Sequence, residues 1–193
     1  MASAAQSGGI DISGRVGEAD DIVGRDKHVT INYGPNAGPA APRMRSNIRP
    51  RNLPFLGRED LLETIGTALG DATTGAVVVV HGASGVGKSE LAREFARRRS
   101  GAYPGGTVVV DADAGSIAVN LASIGQVFLD LPDSGLKFED QAQKTLSVLG
   151  GMPALLIFDN APDPDAIKPF RPAHGAPCHV VATTTFDRWD PGW

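Results

Sequence analysis

The chain is poor in cysteine. Cys178 is the only thiol in 193 residues, which excludes an intramolecular disulfide framework and fits a reducing compartment. Beside a strand-like run, Cys178 reads as a small buried residue rather than a nucleophile. Long apolar runs are also missing. No stretch approaches the ~20 residues of a membrane span, and Met1 to Gly9 lack the basic start and apolar core of a secretory signal. Strong charge of one sign is absent too. A net charge of −4 offers no global attraction to nucleic acid or to an anionic membrane. The resulting expectation is a soluble, cytoplasmic protein with no membrane partner. Its apolar fraction of 41% over this length suffices for one domain plus extras.

Against these absences stands Gly82-Ala83-Ser84-Gly85-Val86-Gly87-Lys88-Ser89, a complete G-x-x-x-x-G-K-[ST] loop. Its glycines permit a tight turn whose N–H groups point at phosphate oxygens. Lys88 offers a point charge to the β- and γ-phosphates, and the Ser89 hydroxyl suits Mg²⁺. The context fits. Ala76 to His81 is a short β-branched run of the kind buried in a parallel sheet. Glu90 to Ser100 reads as a helix with Leu91, Ala92, Phe95 and Ala96 on one stripe, Arg97, Arg98 and Arg99 in the last turn, and Gly101 as a stop. The dipole of that helix adds to the anion site.

The chain falls into three parts. Residues 1–34 carry short alternating stretches, Ile10 to Gly14 and Val29 to Gly34, each ending in glycine. They read either as a disordered tail or as a β-like adaptor that pairs with a partner or another copy. Residues 35–54 form a linker kept extended by Pro35, Pro39, Pro42, Pro50 and Pro54. It is basic, with Arg43, Arg45, Arg49 and Arg51 and no acid between Asp26 and Glu59. No aromatic residue is interleaved before Phe55, so a solvated linker with some phosphate affinity is expected rather than a nucleic-acid surface. Residues 55–193 alternate helices and buried strands. Helical patterns occupy Asp60 to Gly70 (Leu61, Leu62, Ile65, Ala68 and Leu69 on one face), Ser116 to Asp130 and Phe138 to Leu149. Strand patterns occupy Thr107 to Asp111, Ala154 to Phe158 and His179 to Thr183. The expected fold class is α/β, a P-loop NTPase with a parallel sheet flanked by helices.

Leu155 to Asn160 has the form of a Walker B strand: a buried apolar run delivers Asp159 to the carboxyl edge, where ligands collect in open α/β sheets. There Asp159 would hold, directly or through water, the Mg²⁺ that Ser89 touches. Asn160 follows where many ATPases carry a second acid. Asparagine orients water but cannot take its proton, so slow or absent hydrolysis is expected.

Phe55-Leu56-Gly57-Arg58-Glu59 resembles the F-h-G-R-E opening motif (h aliphatic) of NB-ARC-type STAND ATPases, the switch ATPases of bacterial regulators, plant resistance proteins and apoptosome scaffolds. His81 to Ser89, Val108 to Asp113, Leu155 to Asn160, and His179 to Thr185 with Trp189 look like later landmarks of that domain, in order. Ile22 to Lys27 is more faintly similar to segments ahead of bacterial members. The resemblance implies that Phe55, Leu56, Gly57 and Arg58 flank the adenine, although a hydrophobic staple on the first helix is the competing reading. It implies that the last strand lies between the Walker strands, bringing Thr183 or Thr184 toward the γ-phosphate. Gly82 to Ser89 and Glu90 complete the expected ATP/ADP contacts. Lys88, Asp159 and Asn160 are the expected catalytic group, and Ser89 and Asp159 the metal ligands. Thr185 stands where the family usually has a sensor arginine, and Arg188 is a candidate substitute. A fifth core strand, helical lid and repeats would follow Trp193, so the expectation is a core truncated after its sensor strand.

These observations support a nucleotide-operated switch with a protein partner or self-association. They also allow a non-hydrolysing nucleotide-binding module. A small-molecule kinase would need an acceptor site and a basic lid. The Arg97–Arg99 triplet instead lies at the far end of its helix, ~13–16 Å from the loop.

Overall fold

The computed structural model describes residues 46–51, 54–70, 75–113 and 115–189. The expectations for the adaptor segment 1–34, for the linker up to residue 45 and for residues after Trp189 lie outside these. The described strands are β1 (Val77–His81), β2 (Thr107–Asp111), β3 (Ala154–Ala161) and β4 (Cys178–Thr184). They form one four-stranded parallel sheet in the order β1-β4-β3-β2. The helices are α1 (Glu59–Leu69), α2 (Lys88–Arg99), α3 (Ile117–Phe128), α4 (Phe138–Gly150) and the single turn α5 (Pro164–Ile167). This is the α/β P-loop architecture the sequence pattern calls for, with β4 between the two Walker strands.

Both faces of the sheet are covered, and strand alternation sorts side chains between them. Val108, Val110, Leu156, Phe158, Val180 and Ala182 join Leu121, Leu146 and Leu149 of α3 and α4 in one core. Leu155, Ile157 and Val181 join Leu62, Ile65 and Leu69 of α1 and Leu91, Phe95 and Ala96 of α2 in the other. Leu155, Leu156, Ile157 and Phe158 are all fully buried, each contributing roughly 1.5–3 kcal/mol of transfer free energy. This explains why β3 is a continuous apolar run. The helix pattern at 60–70 needs one correction. Leu61 is 43% exposed and Ala68 is also outside the core, so the buried stripe of α1 is narrower than the apolar count suggests. α3 and α4 approach closely at Gly125, where an added Cβ would collide with Thr145 Oγ1.

Residues 46–51, the end of the stretch read as a solvated linker, are tied to the domain. Ser46 bridges Thr107 in parallel, and the Thr107 hydroxyl donates to Ser46 Oγ at 2.9 Å. The Asn47 side chain behaves like a strand peptide. Its Nδ2 donates to Val109 O at 2.7 Å and its Oδ1 accepts from Val109 N at 2.7 Å. Arg97 Nε donates to Arg49 O at 3.2 Å. β2 is the last strand of the described sheet, and Asn47 satisfies main-chain groups that an edge otherwise presents for aberrant pairing. Replacing it strands both Val109 groups. Asn47→Ala is expected to lower unfolding free energy by about 1–3 kcal/mol, read as a lower urea midpoint with unchanged slope.

Candidate nucleotide site

The phosphate loop leaves the carboxyl end of β1 at Gly82, turns through Gly85 and Gly87, and enters α2 at Lys88. Gly85 (φ +77°) and Gly87 (φ +90°) take left-handed conformations that disfavour other residues. A Cβ at 87 would also lie 3.0 Å from Arg58 Nη1, so glycine there admits a guanidinium to the last turn of the loop. Lys88 Nζ donates to Gly82 O at 2.8 Å and Ala83 O at 2.7 Å. The loop thus folds around its own ammonium, the group expected to meet phosphate. Ala83, Ser84, Gly85 and Val86 are exposed, leaving the outer arc of the loop open to a ligand.

Asp159 follows Phe158 on β3, so alternation turns it to the α2 side of the sheet. Only 8% of it is exposed. Its Oδ1 accepts from the Thr183 hydroxyl at 2.6 Å, and its Oδ2 accepts from Arg93 Nη2 at 2.6 Å. Thr183 is on β4, beside β3, and its Oγ1 also accepts from Asn160 N at 2.9 Å. Arg93 follows Ser89 by one helical turn, on the same side of α2. It is the site residue the sequence reading missed. The i,i+4 spacing from the metal-type serine was the available signal, but a helix arginine close to Glu90 reads first as a solvated ion pair.

Ser89 lies half-buried in the first turn of α2. A serine hydroxyl and an aspartate carboxylate are hard oxygen donors of the kind Mg²⁺ accepts alongside water and nucleotide phosphates. No group of three or more His, Cys, Asp or Glu side chains with metal-site spacing occurs among the described residues. The Ser89 hydroxyl and the Asp159 carboxylate would therefore hold the metal together with water or phosphate oxygens.

The remaining expected residues are placed as follows. Thr184 alternates to the face opposite Asp159. Its hydroxyl donates to Ala161 O at 2.6 Å and accepts from Phe186 N at 2.9 Å, so Thr183 is the β4 hydroxyl directed at the Walker aspartate. The Phe55 ring packs against the α1–α2 core, with the guanidinium carbons of Arg51 and Arg98 5.4 and 5.8 Å from its centroid. Leu56 is 83% exposed. Gly57 and Arg58 both have positive φ and turn the chain into α1. The Glu90 carboxylate reaches Arg51 at 3.1 Å and Arg93 at 3.5 Å. Thr185 and Arg188 are exposed. Asn160 has φ +63° at a register shift between β3 and β4, a left-handed bulge that asparagine tolerates better than most residues.

Among the linker arginines that raise a nucleic-acid reading, Arg51 reaches Glu90 at 3.1 Å, and the helix arginines are paired too. Arg97 and Arg98 reach Glu94 at 3.1 and 2.8 Å, and Arg98 reaches Glu59 at 3.8 Å. Burial pushes the Glu94 carboxyl upward, but hydrogen bonds from Arg98 and Arg97 outweigh it and hold the pKa below its usual value. Cys178 is buried, and burial raises its thiol to about 12, which removes it from nucleophilic chemistry.

This parallel sheet with a glycine loop and an opposed aspartate defines a P-loop NTPase-type domain. The sequence model of the AAA ATPase domain matches residues 54–181, more than half of the chain, and the chain belongs to that family. It is 32% identical over 153 residues to Regulatory protein AfsR of Streptomyces coelicolor, covering 68% of this chain and 15% of that protein. It is 30% identical over 154 residues to Regulatory protein AfsR of Streptomyces griseus, covering 71% of this chain and again 15% of the relative. The chain therefore spans a small part of the length of these curated relatives. No helix among the described residues is long and apolar enough to cross a membrane.

The left-handed bulge at Asn160 predicts a graded substitution series. Asn160→Gly leaves stability near that of the parent, whereas Asn160→Val loses about 1–2 kcal/mol from the positive φ, measured by chemical denaturation.

Proposed function

We propose that this domain is the nucleotide-binding switch core of a signalling ATPase of the NB-ARC-type STAND class. It binds ATP or ADP with Mg²⁺ and turns over slowly or not at all. The observation that carries this reading is the opposition of the Gly82–Ser89 loop and Asp159 across β4. Lys88 and the loop N–H groups would hold the phosphates, and Ser89 and Asp159 would hold Mg²⁺, which supplies charge neutralisation between β- and γ-phosphates. The Thr183 hydroxyl orients the Asp159 carboxylate. The regulatory names of the Streptomyces relatives support a signalling role, with nucleotide state biasing contacts to a protein partner or a second copy in the cytoplasm.

A non-hydrolysing binding module is the second reading, favoured by Asn160. Its side chain cannot accept a proton from an attacking water, and its backbone is committed to the bulge. No observation favours the kinase alternative.

The test is Mg²⁺-dependent nucleotide binding, read by thermal shift and calorimetry. At ligand concentrations ~100-fold above Kd, the parent gains about 2.7 kcal/mol of stability. Lys88→Ala is expected to weaken binding by about tenfold or more, the scale of a charge-assisted phosphate contact. Unchanged affinity in that variant would sink the switch and the non-hydrolysing reading together. Asp159-dependent phosphate release would exclude the second reading alone.

A further inference from the structure

We propose that Arg93 is a two-position arginine that competes with the divalent cation for Asp159 and so sets the metal dependence of the nucleotide site. The inference rests on the nucleotide-site reading but concerns a residue that reading does not require.

Three observations carry it. First, Arg93 Nη2 lies 2.6 Å from Asp159 Oδ2, while Oδ1 is held by Thr183. A cation that binds Asp159 must take Oδ2 from the guanidinium or force the carboxylate off Thr183. Second, the pair is sheltered unequally: 12% of the Asp159 side chain is exposed against 33% of Arg93. Asp159 stands near the carboxyl end of β3, and Arg93 is a long side chain at the solvent margin, so the arginine is the partner that moves. Third, it has a destination. Arg93 Nη1 already lies 3.5 Å from Glu90 Oε1, one turn back on α2. Released from Asp159, the guanidinium can close on Glu90 without crossing the sheet.

Glu90 is shared. Its Oε2 also accepts from Arg51 Nη1 at 3.1 Å, and Arg51 belongs to the segment strapped along the domain. Arg97 Nη2 stands 3.9 Å from the same oxygen. A shift of Arg93 from Asp159 to Glu90 therefore changes the cationic crowding around Arg51. Metal occupancy at the carboxyl edge of β3 is thereby coupled through two ion pairs to the segment ahead of α1.

The ranking of variants follows from this competition. Arg93→Gln removes the competitor and should lower the Mg²⁺ concentration that half-saturates nucleotide binding by about tenfold, the scale of one charge-assisted hydrogen bond. Arg93→Lys keeps the charge without the fork and should fall between. Glu90→Gln removes the destination and should shift the midpoint the other way. The affinity measured in EDTA should be unchanged in Arg93→Gln. A merely structural arginine would instead lower thermal stability and weaken nucleotide binding with and without metal.

The experiment is a Mg²⁺ titration of fluorescent ADP binding to the full chain, paired with Mn²⁺ binding followed by electron paramagnetic resonance without nucleotide. Tighter Mn²⁺ binding in Arg93→Gln, abolished by adding Asp159→Asn, is the expected result. A midpoint in Arg93→Gln equal to or above the parent's would overturn the inference. So would a Glu90→Gln midpoint shifted in the same direction as that of Arg93→Gln. If Arg93→Gln does not fold, Arg93→Lys and Glu90→Gln still move in opposite directions or refute it. If the parent binds no nucleotide, the switch reading fails on its own, and the Mn²⁺ arm still decides the role of Arg93.

Discussion

A carboxylate near the carboxyl end of a buried strand is the constraint around which this domain is arranged. Asp159 follows five fully buried residues of β3, and an isolated charge there would cost far more than the strand's packing could offset. Compensation comes from two neighbours fixed by topology. The order β1-β4-β3-β2 places β4 beside β3, so Thr183 is within hydrogen-bond reach of Oδ1. The same order sets α2 over this face of the sheet, so an arginine in the second turn of that helix reaches Oδ2. A different strand beside β3 would leave Oδ1 without the Thr183 hydroxyl. The pair adds little net stability, because desolvating both charges offsets most of their attraction. Its consequence is position: the carboxylate is held at the phosphate-loop edge.

The helix that follows the loop then acts as a charge ladder. Glu90, Arg93, Glu94, Arg97 and Arg98 mix both signs along the helix, and burial pushes the Glu94 carboxyl up while hydrogen bonds from Arg98 and Arg97 outweigh it and hold its pKa below the usual value. Leu91, Ala92, Phe95 and Ala96 bury the opposite stripe. The acidic groups near the N-terminus and basic ones near the C-terminus agree with the helix dipole. The arrangement gives Arg93 neighbours of both signs within one turn, which makes its choice of partner sensitive to a small added charge. It also pairs Arg97 and Arg98 with Glu94.

Much of this was legible in the amino-acid order, and the exceptions have physical reasons. Apolar runs leading into Gly82, Asp111 and Asp159 mark strands of a doubly covered sheet because burial on both faces leaves no polar alternation. The glycine loop is local chemistry and reads directly. Either Thr183 or Thr184 fits the sequence pattern: period-two alternation from the buried Val181 puts Thr183 on the Asp159 side, while the Thr184 hydroxyl donates to Ala161 O. The Asn47 clamp was not, since a side chain imitating a strand peptide across 62 residues of sequence leaves no periodic trace. Nor was the left-handed conformation of Asn160. The missing second acid was visible there, but the bulge that demands a residue tolerant of positive φ depends on how β3 and β4 part company.

That bulge bears on the switch reading. Between Phe158 and Ala161 the β3–β4 register slips, and Asn160 takes up the slack with its N–H donating to Thr183. Thr183 thus accepts from the residue after the Walker aspartate while donating to the aspartate itself, and the three residues form one closed unit. A residue chosen for proton transfer would be free to approach the attacking water. Asn160 instead suits the left-handed backbone of the bulge. The same unit that weakens the case for rapid hydrolysis fixes the Asp159 carboxylate in one orientation, so that the cation and Arg93 compete for a single oxygen. On the switch reading, the selective advantage of such a site lies in discriminating bound states rather than in turning nucleotide over.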